Sequence, residues 1–290
     1  MRLSLCLTSS CVFALALGAC TTNPATPSTS ERSQAAAEVS QAWAEADSPL
    51  LGAAIAGDWR SADNRARDRY RHPQQTLEFF RVGSRSRVVE INPGAGWYSE
   101  ILGPYLRSSG TYFIAVPSAT AGSAGERRNA NLKTHLSQHP EQFARTQWLD
   151  YDGSLPSFGA PGSADTVVTF RNVHNWVAAG NADAYFKAFH EVLKPGGVLG
   201  VVDHRAKPGT DLETMKKSGY LTEELVIELA TGAGFKLDGQ SEINANPKDD
   251  ANHPNGVWTL PPANRNDGKN VAKYREIGES DRMTLRFIKQ

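Results

Sequence analysis

From Arg87 onward, short apolar runs take turns with helix-like stretches, and this alternation restricts the possible folds of the 290-residue chain more than any other feature. Arg87 to Asn92 (RVVEIN), Thr111 to Val116 (TYFIAV), Asp165 to Phe170 (DTVVTF) and Val198 to Val202 (VLGVV) read as strands, with another near Arg145 to Leu149. Their apolar residues run on rather than alternate, as expected of strands covered on both faces. Between them Trp97 to Leu106, Glu126 to Gln138 and Ala182 to Leu193 read as helices. Strand and helix in turn imply right-handed crossovers and a parallel sheet. Thr222 to Thr231 reads as a capped helix, and Phe235 to Ile243 and Met283 to Ile288 as closing strands. The expected domain, residues 87–290, is a doubly wound α/β fold with a mostly parallel seven-stranded sheet.

The amino terminus reads as an address. Met1-Arg2 carries a positive charge, Leu3 to Leu17 is almost wholly apolar, and Leu17-Gly18-Ala19-Cys20 closes the run. The run is short for a membrane span and has signal-peptide shape, so residues 1–19 are expected to be removed. The closing residues resemble the bacterial lipobox, which implies lipidation of Cys20. Cleavage after Ala19 by the ordinary secretory enzyme is the alternative. Thr21 rather than Asp after Cys20 implies the periplasmic face of the outer membrane, with a soluble periplasmic form as the other option. Cys6, Cys11 and Cys20 are the only cysteines, so the body holds no thiol for a disulfide or a zinc site.

Residues 20–47 are expected to form a lipidated tether (TTNPATPSTS) and a helix over Glu31 to Ala46 ended by Ser48-Pro49. Residues 48–86 are expected to form a helical cap, with a helix over Pro73 to Phe80. Asn244 to Gly278, rich in Pro, Asn and Gly, is too long for a plain connection and is a candidate substrate flap. Thirty-one basic residues balance 31 acidic ones. That balance gives no footprint for nucleic acid or acidic lipid, and fits a small-molecule substrate. Membrane association is expected only through the anchor, and no protein partner is evident.

Glu90-Ile91-Asn92-Pro93-Gly94-Ala95-Gly96 ends the first core strand at a strand-to-helix turn. Glycines there let main chain approach a ligand, and the helix amino terminus offers free N–H groups. The segment resembles motif I of class I S-adenosylmethionine-dependent methyltransferases, an acidic residue followed by Gly-x-Gly-x-Gly. Asn92 stands at the first glycine, while Gly94 and Gly96 match. Leu193-Lys194-Pro195-Gly196-Gly197 resembles the turn before that family's fifth strand. PGAGWYSEILGPYL and RNVHNW are similar to a bacterial branch of predicted methyltransferases. The resemblance implies a Rossmann-like methyltransferase fold with S-adenosylmethionine as cofactor. It also implies cofactor contacts from Glu90, Asn92, Gly94, Gly96 and Arg171, and from Asp150 near the adenine, with Asp152 the competing choice. The family's ribose-binding carboxylate after the second strand is missing: Val116-Pro117-Ser118 stands there, leaving Ser118 as a single hydrogen-bonder.

Arg171-Asn172-Val173-His174-Asn175-Trp176 follows the fourth strand and reads as a loop at the ligand crevice. His174 is the candidate general base, Asn172 a catalytic partner, Asn175 a substrate-orienting group and Trp176 a stacking surface. His204, after Asp203 at the end of the fifth strand, is a further substrate contact. Asp203 and His204 could join a metal site with Asp150, although hydrogen bonding is the expectation and no metal is assigned. Arg69, Arg71 and His72 either meet an acidic substrate group or form a solvated helix start. His135, His139, His190 and His253 are expected at the surface. The leading function is small-molecule methyl transfer. The rivals are a lipoprotein that binds a ligand without catalysis, and a metal-assisted hydrolase using Asp203, His204 and His174.

Overall fold

The computed structural model describes residues 47–290; Cys20 and everything expected of residues 1–46 lie outside them. Seven strands form one sheet in the order β3-β2-β1-β4-β5-β7-β6. They are β1 (Arg87–Ile91), β2 (Thr111–Pro117), β3 (Gln147–Tyr151), β4 (Ala164–Phe170), β5 (Leu193–His204), β6 (Phe235–Ser241) and β7 (Arg282–Lys289). The first five are mutually parallel, with Val89 opposite Phe113 and Val167, and β7 runs antiparallel to β5 and β6. The order in which strands are added therefore reverses between β1 and β4: the chain builds outward from β1 to β3 and then returns to β4 on the other side, where a crevice opens beyond the carboxyl ends of the strands.

Helices cover both faces, which is why the strand sequences are continuously apolar. On one face Val89, Ile91, Val167 and Val201 pack against α8 (Val173–Ala179), α9 (Ala182–Val192) and α11 (Glu223–Gly232) through Trp176, Phe186, Phe189 and Val226. On the other, Val88, Ile114, Val168 and Val202 meet α5 (Ser99–Leu106) and α6 (Ala124–Ser137) through Ile101, Leu102 and Leu132. Thr222 caps α11 by accepting from Leu225 N, and Ser123 caps α6 by accepting from Glu126 N.

Residues 48–86, expected as a helical cap, contribute Leu51, Leu77, Phe80 and Val82 to the second core. Ser48-Pro49 do not end a helix; they lie inside α1 (residues 47–56), whose Leu51 and Ala54 burial draws the segment onto the sheet. Three short helices follow: α2 (Ala62–Arg65), α3 (Asp68–Arg71) and α4 (Pro73–Phe79). The third strand begins and ends two residues later than expected, so Asp150 lies within it, opposite Val116. The fifth strand is longer than its apolar run: Leu193 pairs with Ala164, and the ladder resumes at Val198 opposite Thr166. Short helices α7 (Pro140–Phe143) and α10 (Leu212–Ser218) precede β3 and α11, and the Asn244 to Gly278 segment holds a 3-10 turn, Gly256–Thr259, and α12 (Val271–Ile277).

Gly200 shows how closely α4 and its carboxyl cap approach the sheet. A Cβ on Gly200 would fall 2.5 Å from ring atoms of Phe80, which is fully buried. Phe80 also touches the rings of Phe79 and Phe170, so it has nowhere to retreat. Gly200→Ala is therefore expected to destabilise the protein by about 1–3 kcal/mol through overpacking. Urea denaturation checks this, and an unchanged midpoint would refute the packing.

Candidate active site

The carboxyl edge of the sheet gathers four segments: the turn after β1, the residues after β4, the end of β5 and the start of β7. At the β1 turn, Asn92 has φ 49°, in the left-handed region where asparagine is tolerated best after glycine. That explains how it stands where the resembled motif has glycine. Gly94 and Gly96 also have positive φ (66° and 83°), but their surroundings differ. A Cβ on Gly96 would sit 2.6 Å from Leu132, so this glycine lets α6 pack. One on Gly94 would meet nothing within 4 Å, so bare main chain faces open space there. A cleft of about 500 Å³ adjoins it, lined by Asn64, Gly94, Ala95, Arg127, Asn131 and His135. Trp97 does not plug the turn; it is buried beneath the guanidinium groups of Arg60 and Arg71.

Asn172 joins this turn to β4. Its amide donates to the carbonyls of Ile91 (2.9 Å) and Asn92 (3.3 Å) and to Thr169 Oγ1 (3.1 Å). Those bonds correct the catalytic role expected of Asn172: the amide is committed to main chain and holds the edge together. The following residues are not a loop. Val173, Trp176 and Val177 recur at helical spacing and bury one face of α8, a signal present in the sequence but masked by its polar neighbours. Trp176 is consequently core, stacked on Tyr185 at 4.1 Å between ring centres, and unavailable to substrate. Asn175 points outward and is exposed.

His174 is buried on the first turn of α8. Its Nδ1 lies 2.8 Å from Asp203 Oδ1, and its main-chain N donates to Asp203 Oδ2 at 3.2 Å. The N–H of His204 also donates to Asp203, at 2.8 Å. His204 Nδ1 lies 2.6 Å from Ser280 Oγ, and the two imidazoles are 5.1 Å apart between centres. Burial, then the charges of His174, Arg282, Arg171 and Arg71, hold His204 well below its ordinary pKa, so it is neutral at neutral pH. From the expected flap, Trp258 comes within 6.1 Å of His174. His174, Asp203 and His204 have ligand atoms within 4.8 Å of one another, and Asp249, Asp250 and His253 form a second such group. Asp150 belongs to neither, because it sits on the edge strand β3.

The edge formed by β2 and β3 is more open. Ser118 is exposed, its main-chain N–H donating to the carbonyl of Tyr151 at 2.8 Å. The acidic residue that follows β3 is Asp152, not Asp150; its carboxylate accepts from Ser154 N and Oγ at 2.8 and 2.7 Å. Tyr151 donates to Asn92 Oδ1 at 2.8 Å, linking β3 to the turn. His253 is not at the surface: its ring is buried, 2.7 Å from Asp249. His135 is half-buried, 2.7 Å from Glu100.

Arg171, at φ 63°, sits among groups the sequence reading did not single out. These are Arg67, Glu279 and Arg282, more than 200 residues apart along the chain at the widest. The dense charged run Glu279-Ser280-Asp281-Arg282, which leads into β7, is the one sequence signal that marks them.

No family model and no curated relative matches the sequence. Solved structures do match in fold. The [4+2]-cyclase SpnF is 17% identical, with 86% of this chain and 95% of that one covered at a TM-score of 0.53. A protein of Galdieria sulphuraria, assigned as a sarcosine dimethylglycine methyltransferase, is 14% identical over 78% and 86% at 0.52. An S-adenosylmethionine-dependent methyltransferase of Aquifex aeolicus is 12% identical over 77% and 92% at 0.49. The chain has the Rossmann-like methyltransferase fold, as its strand order and this likeness show.

Glu90 does not reach the crevice. It is buried and accepts from Ser99 Oγ (2.9 Å) and from the Tyr112 hydroxyl. Burial raises its carboxyl from 4.5 to about 7, against partial relief from those two hydroxyls. The folded protein thus holds this proton more tightly than the unfolded chain does. The resulting stabilisation is full below about 4.5 and is lost as pH rises to about 7. At about 1.36 kcal/mol per unit, the loss is on the order of 3 kcal/mol. Glu90→Gln, which keeps an acceptor for both hydroxyls, should flatten stability between about pH 5 and 8. Urea titrations at each pH test this; an unaltered slope in the variant would exclude Glu90 as the source.

Proposed function

We propose that the chain is an S-adenosylmethionine-dependent methyltransferase for a small-molecule acceptor, with His174 as the general base. The observation that carries the reading is the His174–Asp203 pair, which stands two residues from the Asn172 clamp on the bare β1 turn. The residues fit the cofactor: the main chain of Asn92 to Gly96 would hold its methionine end, Ser118 a ribose hydroxyl and Asp152 the adenine end. The bound cofactor supplies an electrophilic methyl carbon. Asp203 fixes the imidazole through Nδ1, which leaves Nε2 to accept the acceptor's proton. Neutral His204 adds no opposing charge beside that ring. Trp258 helps to exclude water from above.

One observation favours a second reading. Ser118 in place of a ribose-binding carboxylate suits a protein that kept the fold and binds another ligand without catalysis; fold by itself fixes no activity. Calorimetric titration of the full chain with S-adenosylmethionine and S-adenosylhomocysteine distinguishes the two. Saturable binding that disappears in Gly94→Arg supports the enzyme. A folded sample that gives no heat would favour the second reading. In a methyl-transfer assay His174→Ala should lower turnover by about 10²–10⁴-fold while cofactor affinity stays as it was.

The address also stands as a proposal: Cys20 carries a lipid that anchors the protein on the periplasmic face of the outer membrane. No helix among the described residues is long and apolar enough to cross a membrane. Cys20→Ser should therefore move the protein from the membrane pellet to the soluble fraction of a fractionated cell. Continued pelleting would refute the anchor.

A further inference from the structure

Beside the His174–Asp203 pair, three guanidinium groups bond one carboxylate, and a fourth stands within its field. Glu279 Oε1 receives Arg67 Nε at 2.6 Å, and Oε2 receives Arg71 Nε at 2.9 Å and Arg282 Nη2. Arg171 is the fourth: besides its burial, Arg282 and Arg67 repel it while Glu279 and, less strongly, Asp203 attract it, and its side chain donates no hydrogen bond among the described residues. Side chains of Arg71, Arg282 and Glu279 are 4%, 2% and 2% exposed, while Arg67 is 24% exposed and leads to solvent. Arg67 Nη2, Arg71 Nη2 and Arg282 Nε are buried with no partner.

An ion-pair network built for stability would balance its charges, because buried unpaired charge is costly. This one does not balance. The other carboxylate at this edge, Asp203, is already engaged by His174 and by the N–H of His204. Burial, with the neighbouring arginines, pushes Arg71 well below the ordinary guanidinium range and Arg171 down to about 10. Burial alone would raise the Glu279 carboxyl, but Arg282, Arg71, Arg67 and Arg171 hold it well below the usual carboxylate range. The cluster is prearranged. Arg71 lies over the Trp97 ring at 4.7 Å, and its carbonyl accepts from the Tyr98 hydroxyl at 3.2 Å.

We propose that Arg67, Arg71, Arg171 and Arg282 form an oxyanion-binding site, and that the acceptor carries the carboxylate or phosphate that fills it. The site adjoins the base: Ser280, next to Glu279, contacts His204, whose ring lies 5.1 Å from His174. Unpartnered guanidinium N–H groups suit such oxygens, which accept paired charge-assisted bonds. That the bound group is the acceptor rests on the methyltransferase reading; the anion site itself does not.

The test uses the full chain with sodium phosphate and sodium acetate as probes, against sodium chloride at matched ionic strength. Thermal melting and calorimetry should show saturable binding of at least one probe. Tighter phosphate binding indicates a phosphorylated acceptor, and tighter acetate binding a carboxylic one. Arg171→Gln should weaken that binding by about 10-fold or more, and Arg171→Lys should recover part of it. Without anion, Arg171→Gln should melt at the same temperature or higher, since it removes a charge repelled by Arg282; a purely structural arginine would lower it. Arg205→Gln, which loses a guanidinium taken up by Asp281 and Glu242, is the control with unchanged anion affinity. Binding of neither probe, or equal binding by wild type, Arg171→Gln and Arg67→Gln, overturns the proposal. Titration of the same samples with S-adenosylmethionine separates the two readings. Cofactor binding without anion binding removes only the anion site, and anion binding without cofactor binding removes only the methyltransferase.

Discussion

The side-chain amide of Asn172 is the bond on which the carboxyl edge depends. By donating to the carbonyls of Ile91 and Asn92 and to Thr169, it fastens the β1 turn to β4, the neighbouring strand across which strand order reverses. Buried main-chain carbonyls need such partners, and no ladder reaches beyond the strand ends. Because Asn172 also precedes α8, the same bonds fix where that helix starts and hence where His174 stands. The open main chain at Gly94 and the imidazole are two consequences of one clamp.

Three buried carboxylates near this edge show how surroundings set chemistry. Glu90 has only hydroxyl partners, so burial raises its carboxyl to about 7 and it stays protonated to far higher pH than an exposed glutamate. Glu279, among arginines, stays ionised. Asp203 is held by main-chain N–H groups and orients an imidazole. A motif search reads all three alike, as acidic residues near strand ends.

The fold restricts function without choosing it. A [4+2]-cyclase and a protein assigned as a methyltransferase both share this architecture with the chain at under 20% identity. What distinguishes such proteins is the set of side chains at the edge. Here that set combines an aspartate-held imidazole with a surplus of buried positive charge.

The sequence by itself determined the α/β layering, the order and approximate limits of the strands, and the β1 turn, because these follow from local apolar runs and turn residues. Its errors were local as well. The apolar run places β3 two residues early, which shifts Asp150, and the polar neighbours of Trp176 suggest a loop although Val173 and Val177 share its buried face. Only the tertiary structure decided that Glu90 is sealed off and that Asn172 is a clamp. It alone brought Arg67 and Arg71 against Glu279 and Arg282 across more than 200 residues. Periodicity reports which face of an element is buried. It carries no information on which distant charges the folded chain places together, since those distances are set by how the sheet and its helices pack.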